Sequence, residues 1–304
     1  DMVKSGILAI NLAIAGCVGG SVPKPDEIAR MVETGDVDMA RVAIKGALEA
    51  DPGNPDLILL KGRVAMESGN PDLAISELSR LADDKNHAAL VRDHLARAYL
   101  MGGNPRRALE TLGDGKPATA LAFAVRTGAL VRLGEGDAAA KALAEGLASF
   151  PDAPDLMVLE GGQAMAMGDI DKAAMIAGRA VKIAPGDVQV RLLAGRVAMI
   201  DRRFDEAQAH FDAVLARRPK FQTALLAKAS MAMDRGDKAA ADRLLREAAG
   251  QIGDGAPAIA YFRARVAYDD GRTDDALKIL QSMGDTSAFP PATMLSGLVA
   301  ARRG

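Results

Sequence analysis

The sequence predicts an all-α solenoid in which similar helical hairpins stack along the chain. The first observation is a spacing of 34 residues between glycines that stop helices, at Gly35, Gly69 and Gly103. The second is composition, since 49% of the 304 residues are hydrophobic but only 3% are aromatic. The apolar content is carried mainly by Ala, Leu and Met, which form helices well. A fixed period of this length is the signature of a repeat array.

Each hairpin is indicated by the residues that end one helix and begin the next. Glycine closes the first helix because it accepts the left-handed conformation there. An Asp or Asn follows and is suited to cap the second helix; these residues are Asp36, Asn70, Asn104, Asp169 and Asp237. The signals predict eight units, at about residues 21–54, 55–88, 89–118, 119–153, 154–187, 188–221, 222–255 and 256–289.

Small residues recur at position 8 of the first helix, where they let two helices approach closely; they are Gly62, Ala96, Gly128, Gly161, Gly195, Ala229 and Ala264. Prolines close several units, at Pro52, Pro185 and Pro219. Over about residues 25–304 this pattern resembles that of the tetratricopeptide repeat family. The resemblance implies about eight hairpins wound into a right-handed superhelix, with a protein-binding and non-enzymatic function.

The 34-residue register slips in the middle of the array. The segment 113–117 contains two glycines and a proline and shortens the second helix of unit three. We therefore expect a bend near residues 113–118. Residues 290–304 are predicted to form the first helix of a ninth unit with Gly297 at position 8. We expect either that the array is truncated at residue 304 or that this helix docks on a partner or on a second copy of the chain.

Residues 1–16 have the layout of a lipoprotein-type signal peptide, and residues 17–24 that of a flexible tether. The apolar segment 6–16 follows Lys4 and is too short to span a bilayer as a helix. The four residues 14–17, Ile-Ala-Gly-Cys, resemble the lipobox of bacterial lipoproteins. That resemblance implies a lipid on Cys17 and a location in the cell envelope, facing the periplasm. The alternative is an apolar tail, or a first helix with a buried Cys, on a cytoplasmic protein.

The family resemblance also implies a binding groove, because first helices line the concave face in such proteins, partly through positions 9 and 12. Carried over, position 9 gives Arg63, Arg97, Arg196 and Arg265. Position 12 gives Met66, Leu100, Arg132, Met165, Met199, Met233 and Tyr268. Guanidinium groups bind carboxylates and thioethers adapt to varied apolar surfaces. The expected ligand is a protein segment with acidic and apolar residues. The competing interpretation is packing methionines and solvated arginines.

No catalytic or metal site is predicted, and no cofactor. His87, His94 and His210 have no Cys, Asp or Glu arrangement that completes a metal pattern, so we expect solvated histidines. The net charge of −2 gives no footprint for nucleic acid. The sequence therefore favours an envelope lipoprotein that scaffolds a pilus, secretion or exopolysaccharide export machine. The alternative is a cytoplasmic adaptor or regulatory module.

Overall fold

The computed structural model describes residues 22–82, 84, 86–219, 221–253, 256–286 and 289–303. The predicted signal peptide, the lipid on Cys17 and most of the tether lie outside these residues. In the described part the chain forms seventeen α-helices and no β-strand. The predicted all-α fold is confirmed. The helices are α1 Pro25–Thr34, α2 Val37–Ala50, α3 Pro55–Glu67, α4 Pro71–Ser79, α5 Ala88–Met101, α6 Pro105–Leu112, α7 Ala120–Arg132, α8 Gly136–Ser149, α9 Pro154–Ala166, α10 Ile170–Ile183, α11 Val188–Ile200, α12 Phe204–Arg217, α13 Gln222–Asp234, α14 Lys238–Ile252, α15 Pro257–Asp269, α16 Thr273–Ser282 and α17 Pro290–Arg303.

The first sixteen helices pair into eight consecutive hairpins, and α17 stands where a ninth would begin. Gly35 closes α1 in the left-handed conformation, with φ 86°. In unit two, the residue after the glycine that ends the first helix is Asn70. It caps α4, because its side chain accepts a hydrogen bond from the Leu73 N–H at 3.0 Å. Asn104, Asp169 and Asp237 cap in the same way. Asp36 makes no such cap, and its carboxylate accepts a hydrogen bond from the Thr34 hydroxyl.

Position 8 is small because a side chain from another helix occupies the space beside it. A Cβ on Gly62 would lie 2.6 Å from Leu78, on the second helix of the same unit. A Cβ on Gly195 would lie 2.6 Å from Phe211, which is fully buried. The core is accordingly a chain of small clusters that join neighbouring units, which is how a solenoid buries its hydrophobic surface.

Unit three departs from the regular pattern. Its second helix, α6, has only eight residues and ends at Leu112, as predicted. Arg126 on α7 holds the following loop by donating to the carbonyls of Gly113 and Gly115, at 2.6 and 2.8 Å. The bend near residues 113–118 stays a prediction.

The array curves far enough for distant units to touch across its interior. Arg218, just after α12, forms an ion pair with Glu67 at the end of α3. Next to it, Arg217 donates to the Gly186 carbonyl. The Arg217 side chain lies 3.5 Å from the point where a Cβ on Gly35 would stand. Units one and two are therefore in side-chain contact with unit six. None of the described helices combines the length and apolar character needed to cross a membrane.

Helix α17 packs only one of its faces. Leu295 and Val299 are buried against α15 and α16. Met294 and Leu298 remain 73% and 50% exposed, and a Cβ on Gly297 would meet nothing within 4 Å. Position 8 is therefore open in this helix.

Candidate functional site

An open cavity of about 590 Å³ lies in the interior of the curved array. One wall is formed by the end of α1 and by the first helices of units two and three, α3 and α5. The opposite wall comes from the loop before α11 and from the end of α12. The lining residues are Val32, Glu33, Thr34, Gly35, Arg63, Met66, Glu67, His94, Arg97, Met101, Ala184, Gly186, Asp187, Val188, Gln189, Arg217 and Arg218.

Two of the predicted groove arginines, Arg63 and Arg97, lie together in this cavity. They occupy equivalent positions of neighbouring units, 34 residues apart, so the repeat geometry directs both side chains to the same side. Both are half-buried. In the described part of the chain neither has a carboxylate within ion-pairing distance, which leaves two guanidinium groups available for an anion.

The electrostatics of the cavity follow from this cluster. Burial lowers the pKa of Arg63, Glu33 opposes this shift, and the nearby charge of Arg97 adds to it. His94 lies on α5, three residues before Arg97. Burial, together with the positive charges of Arg63 and Arg97, lowers the pKa of His94 to about 4. This imidazole is therefore neutral near pH 7.

The expectation of a solvated His94 is wrong. The side chain is largely enclosed by the cavity walls, and its Nδ1 atom is buried without a hydrogen-bond partner in the described part of the chain. Sequence reasoning missed it because the wall that encloses it belongs to units five and six, about 90 to 120 residues along the chain. The available signal was its spacing of three residues from Arg97, which places both on one helical face.

The other charged groups of the cavity are mostly engaged in structural contacts. Glu67 pairs with Arg218. Asp187 caps α11, where its carboxylate accepts from the N–H groups of Gln189 and Val190 at 2.8 and 2.9 Å. Arg217 donates to the Gly186 carbonyl. Among the described residues, the cavity charges without such a contact are those of Arg63, Arg97 and Glu33.

The remaining position-9 arginines differ from this pair. Arg265 is bound by Asp234 of the preceding unit at 2.6 Å and approaches Asp269 at 3.7 Å. Arg196 is exposed and makes no ion pair with the described residues. Neither of them lines the cavity.

The position-12 residues divide between packing and inter-unit contacts. Met66 is only 6% exposed and belongs to the core, although its edge reaches the cavity. Arg132 donates from Nη1 to the Leu100 carbonyl of the preceding unit at 2.7 Å. The side chain of Leu100 packs against a hydrophobic core cluster. Tyr268 lies beneath the Arg302 guanidinium, 4.4 Å from ring centroid to Cζ. Half-buried methionines complete the set, at Met165, Met199 and Met233. Their role in binding stays a prediction.

The other two histidines, unlike His94, have protein partners. His87 contacts Asp56 at 2.9 Å and Asp84 at 3.3 Å, and these two contacts raise its pKa. His210 lies 3.1 Å from an Arg191 nitrogen. Within the described residues, no group of three His, Cys, Asp or Glu side chains is placed to hold a metal ion.

Two family models, both described as tetratricopeptide repeat, match this chain: one at residues 31–93 and 164–229, the other at residues 129–188. Comparison with curated proteins gives no match.

The APC/C hetero-tetramer Cut9-Hcn1 is similar to this chain at a TM-score of 0.69 and 17% identity, over 90% of this chain and 54% of that one. This chain thus spans about half the length of that relative.

Two further solved structures are similar. PilW, described as a widely conserved type IV pilus biogenesis factor, has a TM-score of 0.53 and 19% identity over 71% of this chain and 99% of its own. The human IFIT1 dimer with PPP-AAAA has a TM-score of 0.58 and 14% identity over 91% and 77%. At identities this low, the structural similarity shows only that the fold is shared. Tetratricopeptide repeats form protein–protein interaction scaffolds that are in general not enzymes. The family models together match more than half of the chain, which therefore belongs to the tetratricopeptide repeat family.

Proposed function

We propose that this chain captures a segment of a partner protein inside its curved array and so scaffolds a multiprotein assembly. The observation that carries the proposal is the interior cavity with Arg63 and Arg97, two half-buried arginines without a carboxylate partner in the described chain. Burying a cation is unfavourable unless an opposite charge pairs with it, and the nearby charge of Glu33 offsets only part of this cost for Arg63. An arrangement that keeps two of them side by side is suited to an anionic ligand.

The partner-binding proposal is tested by photo-crosslinking in the native cells. A photoreactive residue replaces Gln189, which is exposed at the rim of the cavity, or Lys141, which is exposed on the second helix of unit four. We expect a cross-linked partner from position 189 and none from position 141. Changing Arg63 and Arg97 together to Glu should remove that product while the helical content stays constant. Cross-links from position 141 alone would place binding on the second helices instead.

We further propose that the scaffold is held at the bacterial envelope by a lipid on Cys17 and faces the periplasm. Support comes from the lipobox-like residues 14–17 behind a short apolar segment. A pilus, secretion or exopolysaccharide export machine is the proposed setting, and the fold similarity to a pilus biogenesis factor is compatible with the first of these. Labelling with radioactive palmitate tests the anchor. Label and membrane association should both be lost in Cys17→Ser. A wild-type chain without label would instead favour the cytoplasmic adaptor.

A further inference from the structure

The cluster of Arg63, His94 and Arg97 has features that a general cationic surface lacks. The two guanidinium groups face one cavity from adjacent helices, and an imidazole stands beside them. The Nδ1 atom of His94 is buried and has no hydrogen-bond partner among the residues that the structure describes. A buried polar atom without a partner is unfavourable, and such atoms are rare in folded proteins. Both guanidinium groups can donate to acceptor oxygens of a ligand in the cavity, and protonation of His94 gives its imidazole a second donor there.

We propose that Arg63, His94 and Arg97 form a binding site for a carboxylate of an acidic partner segment, and that His94 takes up a proton when the carboxylate binds. The proposal rests on the interior of the array being the partner-binding surface. It adds the chemistry of the ligand and a dependence on pH, neither of which follows from the fold.

The charge balance of the cavity fits a singly charged anion. The described residues of its walls include four arginines, Arg63, Arg97, Arg217 and Arg218, against the three carboxylates of Glu33, Glu67 and Asp187. With His94 neutral, one positive charge is in excess. A carboxylate cancels that excess before His94 takes up a proton, and Glu33 in the same wall opposes a second negative charge on the ligand. Guanidinium groups also match the planar carboxylate through paired hydrogen bonds.

The direction of the proton linkage follows from the same charges. In the empty cavity, burial and the charges of Arg63 and Arg97 hold the pKa of His94 near 4. Glu33, Glu67 and Asp187 are the opposing charges that face the cavity. A bound carboxylate offsets the arginines and offers an acceptor to a protonated imidazole, so the pKa of His94 rises. The complex then holds more protons than the free protein, and binding strengthens as the pH falls through the raised pKa.

The test measures binding of a fluorescent peptide of six glutamates, blocked at both ends, to the full chain at constant ionic strength. If the bound state restores the pKa of His94 to its ordinary value of 6.5, affinity at pH 5.5 exceeds that at pH 7.5 about tenfold. His94→Gln should abolish this difference. His210→Gln is the matched control, because His210 is also half-buried with a lowered pKa but lies outside the cavity. It should keep the tenfold difference.

Changing Arg63 and Arg97 to Gln should weaken peptide binding at both pH values, while Arg196→Gln should not. Circular dichroism confirms that each variant folds. A pH difference that persists in His94→Gln overturns the proton linkage. Inorganic phosphate that displaces the peptide at lower concentration than acetate overturns the carboxylate assignment. If position 189 still cross-links its partner in His94→Gln and in the double Gln variant, the scaffold function stands without this site. If wild type gives no such product, the proposed function itself fails.

Discussion

The hydroxyl of Thr119 donates a 2.6 Å hydrogen bond to the carboxylate of Asp93, which joins unit four to unit three. The same oxygen accepts from the Ala122 N–H at 3.0 Å and so caps α7. Asp93 is 1% exposed, and its other oxygen contacts Arg92 at 3.2 Å. One hydroxyl thus serves a helix terminus and a buried charge at the boundary where the repeat register is least regular.

Replacing Thr119 with Val should lower the free energy of unfolding by about 2 kcal/mol, because a cap is lost and a buried carboxylate loses a donor. Urea unfolding followed by circular dichroism measures this change. Thr119→Ser should recover most of the loss. The control is Thr111→Val, because that hydroxyl donates only to the Arg107 carbonyl of its own helix. Equal losses in the two Val variants would contradict the assigned role.

Glu77 provides a prediction about pH. Burial raises its pKa, but hydrogen bonds from Lys61 and Arg80, both at 2.7 Å, outweigh burial and leave the pKa below its ordinary value. A carboxylate whose pKa is lowered in the folded state stabilises the protein at pH values above its unfolded-state pKa. This stabilisation is lost as the pH falls through its folded-state pKa. Glu77→Gln should therefore cost about 1–2 kcal/mol at pH 7, with the partners partly exposed.

The cost of Glu77→Gln should shrink as the pH falls below the ordinary glutamate value of 4.5. Thermal unfolding of both proteins from pH 7 to pH 3 measures the trend. Glu110→Gln is the control, because Glu110 is exposed on α6 and has no ion pair among the described residues. A constant cost across the pH range would show that shape rather than charge matters at position 77.

Position 8 gives a prediction about packing. Gly195→Ala should destabilise the array by about 1–3 kcal/mol, because its Cβ would lie 2.6 Å from the buried Phe211 ring. Gly162→Ala, in the equivalent helix of unit five, meets nothing within 4 Å and should stabilise by about 0.5–1 kcal/mol through helix propensity.

Gly297 also occupies position 8 but meets nothing within 4 Å. Gly297→Ala should therefore behave like Gly162→Ala in thermal unfolding. Destabilisation at position 297 similar to that at position 195 would mean that something covers α17 in solution.

The contact across the interior predicts a change of shape. Glu67→Arg removes the ion pair with Arg218 and places two positive charges opposite each other. The array should therefore open, and its radius of gyration should rise. The pair is partly exposed, and about 1 kcal/mol is expected from it. Small-angle X-ray scattering measures the change, and the exchanged pair Glu67→Arg with Arg218→Glu should restore the wild-type curve. An unchanged radius in the single variant would show that backbone curvature alone holds the units together.

The sequence by itself determined the hairpins. Helix ends depend on residues within a few positions, such as Gly35 with its left-handed φ, or Asn70 capping α4. The period of 34 residues fixes which face of each first helix recurs, and so predicted that Arg63 and Arg97 share a side. These properties are local or repeat along the chain, and one sequence is enough to read them.

Only the tertiary structure decided what the repeated positions do. Position 9 holds Arg97, which lies in the cavity, and Arg265, which forms an ion pair with Asp234. The two arginines differ because the residues that surround each of them come from other helices. The enclosure of His94 depends on the curvature that brings unit six against units one and two. Curvature accumulates over many small unit-to-unit rotations. No single motif encodes that sum, so the cavity and the low pKa of His94 had no counterpart in the sequence pattern.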